Sequence, residues 1–115
     1  MSTQGYSQIE ISFYSRGSET GPKNFALEYS TDGDVWYPIA ASNNELITYS
    51  ISSDNKFHLH GPYQIGIDLE DLDEVSIRFI NFDTRAVSGE KIKSSGTNYI
   101  ADIIISGIAI KADPP

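Results

Sequence analysis

Apolar and polar residues alternate along most of this chain with a period of two. Ile9, Ile11 and Phe13 alternate with Glu10, Ser12 and Tyr14. Phe25, Leu27 and Tyr29 alternate with Ala26, Glu28 and Ser30, and Ile47, Tyr49 and Ile51 with Thr48 and Ser50. Further runs pass through Phe57 and Leu59, through Ile65, Ile67 and Leu69, and through Val75, Ile77 and Phe79. This period puts one face of a strand inside and the other outside. The last run, Ile100 to Ile110, is nearly continuous apolar sequence. Both of its faces are apolar, which predicts a strand in the middle of the sandwich or covered by a loop. No segment carries a helical period beyond one turn near Leu69 to Glu74.

Turn-rich stretches separate the runs: Gly17 to Asn24, Ser42-Asn43-Asn44, Ser52 to Asn55, Gly61-Pro62 and Ser88 to Asn98. One junction is sharply written. After Tyr29 the chain reads Ser30-Thr31-Asp32-Gly33-Asp34-Val35-Trp36. Asp-Gly tolerates positive φ, so a hairpin turn is expected there, with the sole tryptophan on the return strand. The pattern predicts an all-β fold, an antiparallel β-sandwich or jelly roll of about seven to eight strands.

Size and composition narrow the partners. At 115 residues the chain makes one domain, read as a sandwich over 1–111 with the start of a Pro-rich linker at 112–115. Eight basic against 16 acidic residues leave a net charge of −8. That disfavours nucleic acid and anionic membrane surfaces, and no apolar run is long enough to insert into a bilayer. The absence of cysteine removes disulfides, thiolate catalysis and thiolate-bound zinc.

Catalytic patterns are missing. No Ser/His/Asp order or phosphate-cradling glycine loop stands out, and no acid is set in a recognisable apolar pocket. The expected reading is not an enzyme. His58 and His60 share a strand face, but zinc needs a third ligand, so they are read as solvent-facing residues flanking Leu59. Asp68 to Glu74 carries five carboxylates and reads as a solvated loop.

Three segments together resemble a known group. They are Ile11 to Phe25 followed by the Tyr29-Ser30-Thr31-Asp32-Gly33…Trp36 hairpin, then Val75 to Phe79, then Gly96 to Gly107. Their order resembles galactose-binding-domain-like jelly-roll modules of bacterial extracellular and cell-surface proteins. Relatives usually carry Ile-Asp-Asp-Ile in the last strand, where this chain has Ile100-Ala101-Asp102-Ile103. The resemblance implies a non-catalytic carbohydrate-binding module of a larger secreted protein, partnered by polysaccharide or glycan and by other domains of the same polypeptide. It needs no cofactor beyond, in some members, a structural calcium, for which Asp102 and Glu10 are the candidates here. The alternative is an adhesin or spacer module of the same fold with no sugar site.

Sugar recognition needs flat aromatic rings and planar polar groups. Tyr14 and Arg16 lie on the outer side of their strand if Phe13 lies inside. Trp36 and Tyr37 follow the hairpin, Tyr63 follows Gly61-Pro62, Arg85 lies in a loop, and Tyr99 precedes the last strand. These seven are the candidate ligand-binding residues. An indole beside a hairpin commonly plugs a sandwich edge; turned outward it is a ligand platform.

Overall fold

A computed structural model describes residues 1–110, so the linker expected at 112–115 lies outside the described residues. The chain is all-β, with antiparallel sheets that agree with a sandwich. Its strands are β1 (Tyr6–Gly17), β2 (Asn24–Ser30), β3 (Tyr37–Pro38), β4 (Thr48–Ser50), β5 (His58–Gln64), β6 (Ser76–Asn81) and β7 (Asn98–Ala109). One sheet has the order β5-β1-β7. In the other, β2 pairs β3 and β4 along one edge and β6 along the opposite edge.

The alternating runs build the core between the sheets. β1 contributes Ile9, Ile11 and Phe13, and β2 contributes Phe25 and Leu27. Tyr49 of β4 joins them, with Ile39, Ile47, Ile51, Ile65 and Val75 from the flanking segments. Burying each such side chain contributes roughly 1.5–3 kcal/mol. At the centre Phe13 is fully buried and touches three aromatic rings edge-on or tilted: Tyr49 at 4.9 Å, Phe79 at 5.0 Å and Tyr63 at 6.4 Å. The Tyr49 hydroxyl is buried with no hydrogen-bond partner, and burial pushes its phenol well above the ordinary range.

The Asp-Gly turn forms as expected. Gly33 has φ +81°, and the Ser30 hydroxyl accepts its N–H at 2.8 Å. Asp32 Oδ1 accepts the N–H groups of Val35 at 2.9 Å and Asp34 at 2.8 Å. These bonds, Val35's first, hold the Asp32 carboxyl below its usual value.

Three expectations are corrected. β7 is an edge strand, because β1 takes the middle of its sheet and pairs β5 on one side and β7 on the other. Ile103, Ile104, Ile108 and Ile110 are exposed rather than covered. The Ile65–Leu69 run is not a strand: a 3-10 turn spans Ile67–Leu69, which leaves Ile67 78 % exposed while Leu69 is buried. That turn also comes earlier than the one expected near Leu69 to Glu74.

The third correction concerns β5, which runs unbroken through Gly61-Pro62 and Tyr63, where a turn and a loop were expected. Strict alternation from Tyr63 would turn Leu59 inward. Between the pairs Ile11↔Tyr63 and Phe13↔His60, β5 advances three residues and β1 only two. The extra residue is a bulge at Gly61, whose φ is +89°. A bulge reverses the faces of everything beyond it. His58 and His60 therefore share the side of Ser15 and Phe13, and Leu59 joins Tyr14 outside.

His60 is consequently not solvent-facing. Its ring stacks on Phe13 at 5.2 Å, and its Nε2 is hydrogen-bonded to Ser15 Oγ at 2.6 Å. The serine donates in one imidazole tautomer and the ring in the other. Burial first, and the neighbouring His58 second, lower the His60 pKa below 6.5. The folded ring thus resists a proton that the unfolded chain accepts. Stability is complete above the ordinary histidine value and falls as pH drops below it. Because the ring is partly solvated, the slope stays below that of a whole proton. Urea midpoints at neutral and mildly acidic pH check this. His60→Gln, which keeps a partner for Ser15, will lose that part of the slope; an unchanged slope contradicts the assignment.

Candidate functional site

The outer face of the β5-β1-β7 sheet carries the candidate site. Tyr14 and Arg16 stand on β1, facing away from Phe13 and Ser15. Arg16 pairs with Tyr99 on β7, and Tyr14 pairs with Ala101 on β7 and Leu59 on β5. Directly opposite residues of neighbouring strands have Cβ atoms about 5 Å apart, so these side chains form adjacent rows. Tyr14, Tyr99, Leu59 and Phe57 are all exposed.

The loop ahead of β5 completes the face. Asp54 Oδ1 accepts the Lys56 N–H at 3.0 Å, and its carboxylate bonds His58 Nε2 at 2.7 Å. The His58 bond, above all, keeps the Asp54 carboxyl below its usual value. Asn55 takes a left-handed φ of 54°, which asparagine tolerates. The tight bend delivers Asn55 Oδ1 to Arg16 Nε at 3.1 Å and the Phe57 ring beneath the guanidinium at 5.7 Å. Cation–π attraction and the amide bond hold Arg16 across the face. Among the described residues no carboxylate pairs with Arg16. Its remaining N–H groups are available as a planar donor fork.

Of the seven expected ligand residues, the fold thus brings together Tyr14, Arg16 and Tyr99. Tyr37 belongs to the other sheet, and Trp36 lies in the loop just ahead of it. The Trp36 indole is neither a core plug nor freely presented: the Arg78 guanidinium covers it at 4.2 Å, and Arg78 Nε donates to Glu28 Oε1 at 2.8 Å. Tyr37 pairs with Tyr29, ring centroids 5.7 Å apart. Tyr63 points toward the core, packed near Phe13, where burial raises its pKa. Arg85 is exposed on a turn bridged to Lys91, bordering a shallow hollow with Thr84 and Glu90. Phe57, Leu59 and Asn55 were absent from the expected set. The signal for them was Gly61-Pro62 within a strand run, a dipeptide that breaks strand alternation.

The calcium candidates do not converge. Glu10 pairs with Ser106. Asp102, at φ 51°, occupies a bulge four residues away on β7, a separation of about 13 Å along the strand. Among the described residues no three His, Cys, Asp or Glu side chains are grouped to hold a metal ion. The acidic stretch at 68–74 instead satisfies backbone donors near the N-terminus. Asp71 Oδ1 accepts the Gly5 N–H at 2.8 Å, and Glu70 Oε2 accepts the Gln8 N–H at 3.1 Å. Among the described residues no helix is long and apolar enough to cross a membrane. No known family, characterised protein or solved structure matches the chain.

Proposed function

We propose that this chain is a non-catalytic carbohydrate-binding module that holds polysaccharide on the outer face of the β5-β1-β7 sheet. One observation carries the reading: Arg16 is held over Phe57 by its bond to Asn55, opposite Tyr99 in register and beside exposed Tyr14, on an open strand surface. Rings of this kind stack on the apolar faces of sugars, while the guanidinium and the Asn55 amide bond pairs of hydroxyls. An open sheet face suits a chain rather than a buried small molecule. The net charge of −8 favours a neutral or cationic glycan. The jelly-roll connectivity, the extracellular or cell-surface location and the attachment to other domains belong to the same proposal. They are supported by the resemblance of the three segments quoted above.

Affinity electrophoresis against a panel of plant and host polysaccharides tests it. At least one neutral glycan will retard the chain. Tyr14→Ala and Arg16→Ala will each weaken retardation about tenfold, the equivalent of roughly 1.4 kcal/mol of lost contact. Trp36→Ala will leave it unchanged. A chain retarded by no polysaccharide would sink the reading. It would favour a structural or protein-interaction module instead, which the exposed apolar residues of β7 support.

A further inference from the structure

We propose that β7 is a self-association edge, pairing antiparallel with β7 of a second copy to join two three-stranded sheets into one of six strands. The outer backbone edge of β7 has no partner among the described residues. Free edges usually carry protection: charges, proline, bulges or very short strands. β5 has His58, Pro62 and the Gly61 bulge, β6 has Arg78, β3 ends in Pro38, and β4 is three residues long. From Ile103 to Ala109, β7 has neither charge nor proline.

The occupant follows from charge and register. The chain carries net −8, whereas Asn98–Ala109 contributes a single carboxylate, Asp102. This strip is therefore one along which two copies of an acidic protein approach with little repulsion. The pattern is also self-complementary. Ser106 pairs with Glu10, Ile104 with Ser12 and Ile108 with Ser7, which puts Ile104, Ser106 and Ile108 on the outer face. A two-fold axis at Ser106 sets Ile104 of each copy against Ile108 of the other, as apolar cross-strand pairs. The same register holds the two Asp102 carboxylates eight residues, about 27 Å, apart along the strands, beyond effective Coulomb reach in physiological salt.

On the inner side Ile103 and Ile105 border a cavity of about 350 Å³ that opens between β7 and β6, lined also by Ile11, Val75, Ile77 and Phe79. Pairing carries a second strand along the mouth of this cleft. Nine residues from each copy, Asp102 to Ile110, make about 30 Å of paired strand. Each copy adds four isoleucines between 49 % and 59 % exposed, Ile103, Ile104, Ile108 and Ile110. That scale matches a specific interface of roughly 1,000 Å² in total.

Sedimentation equilibrium of the full chain, from low to high micromolar concentration, tests the proposal. The expected species has twice the monomer mass. Ile104→Lys and Ile108→Lys put a charge on the edge at exposed positions and will return the chain to a monomer with unchanged circular dichroism. Leu59→Lys, equally exposed on the opposite edge, will still dimerise. Should the lysine variants not fold, amide exchange on the unaltered chain decides instead, since β7 amides facing away from β1 will gain protection with concentration. A chain monomeric at every concentration overturns the proposal. So does a dimer that both β7 variants preserve, exchange independent of concentration, or binding of a different protein to β7 without self-association.

Discussion

Phe13→Ala will remove about 4 kcal/mol of folding stability, read as a lower urea midpoint with little change in slope. Phe13 is 0 % exposed and lies at the contact between the two sheets. Its ring meets Tyr49 at 4.9 Å, Phe79 at 5.0 Å and His60 at 5.2 Å, so truncation opens a cavity walled by other rings. Aromatic walls on stiff strands relax little, which puts the site in the costly part of the range for phenylalanine truncation. A domain of this size is stable by about 5–15 kcal/mol, so the variant will sit near the edge of folding. Tyr49→Phe is the control. It keeps the ring and deletes a hydroxyl that is buried without a partner, so stability will stay level or rise slightly. A Phe13→Ala loss below about 1.5 kcal/mol would show that the ring cluster does not hold the sheets together.

Gly96→Ala will cost about 3 kcal/mol without touching that core. A Cβ at Gly96 would lie 2.5 Å from Gly21 Cα and 2.6 Å from Gly21 N, and in collision with the Thr20 carbonyl oxygen. The obstacles are backbone atoms, which cannot swing away as a side chain does. The crossing ties two long loops together. Ser18 N–H donates to the Thr97 carbonyl at 3.1 Å, Lys93 N–H to Thr20 at 3.0 Å, and Val87 N–H to Gly21 at 3.1 Å. Separating the backbones weakens all of these at once. Gly33→Ala supplies the comparison, because Gly33 has φ +81° and open space around it. Only left-handed strain applies there, about 1 kcal/mol. Thermal or urea unfolding will rank the two. Equal losses would mean that the crossing gives way freely and is not a constraint.

The inner face of most strands was legible from alternation alone. Phe25 and Leu27, Ile9 to Phe13, and Val75 to Phe79 all turn toward the core as their period requires. What escaped the pattern depends on single residues that shift parity. Gly61-Pro62 reads as a turn between two runs, yet it lies inside β5, where the Gly61 bulge turns Leu59 out and His60 in. Drawing His60 inward costs desolvation, which ring stacking on Phe13 and the Ser15 bond offset. Ile67 continues an apolar run, yet it tops a 3-10 turn in solvent. The apolar faces of β7 suggested a covered strand, but topology is set by which strand β1 pairs on each side, and that is a long-range fact.

The site was half legible for the same reason. Tyr14 and Arg16 follow from their spacing to Phe13, and Tyr99 joins them because the β1–β7 register sets it against Arg16. Phe57 and Asn55 arrive through the bend ahead of β5, whose position no local pattern predicts. Trp36 drew attention as the sole tryptophan, but Arg78 covers it.

The most direct measurement is an amide chemical-shift map of the isotopically labelled chain, titrated with oligosaccharides of whichever polysaccharide retards it. Perturbations will centre on Tyr14, Arg16, Asn55, Phe57 and Tyr99, with the Trp36 indole signal unmoved. Perturbations centred on Trp36, Tyr37 and Arg78, with the β1 face silent, would contradict this placement of the site.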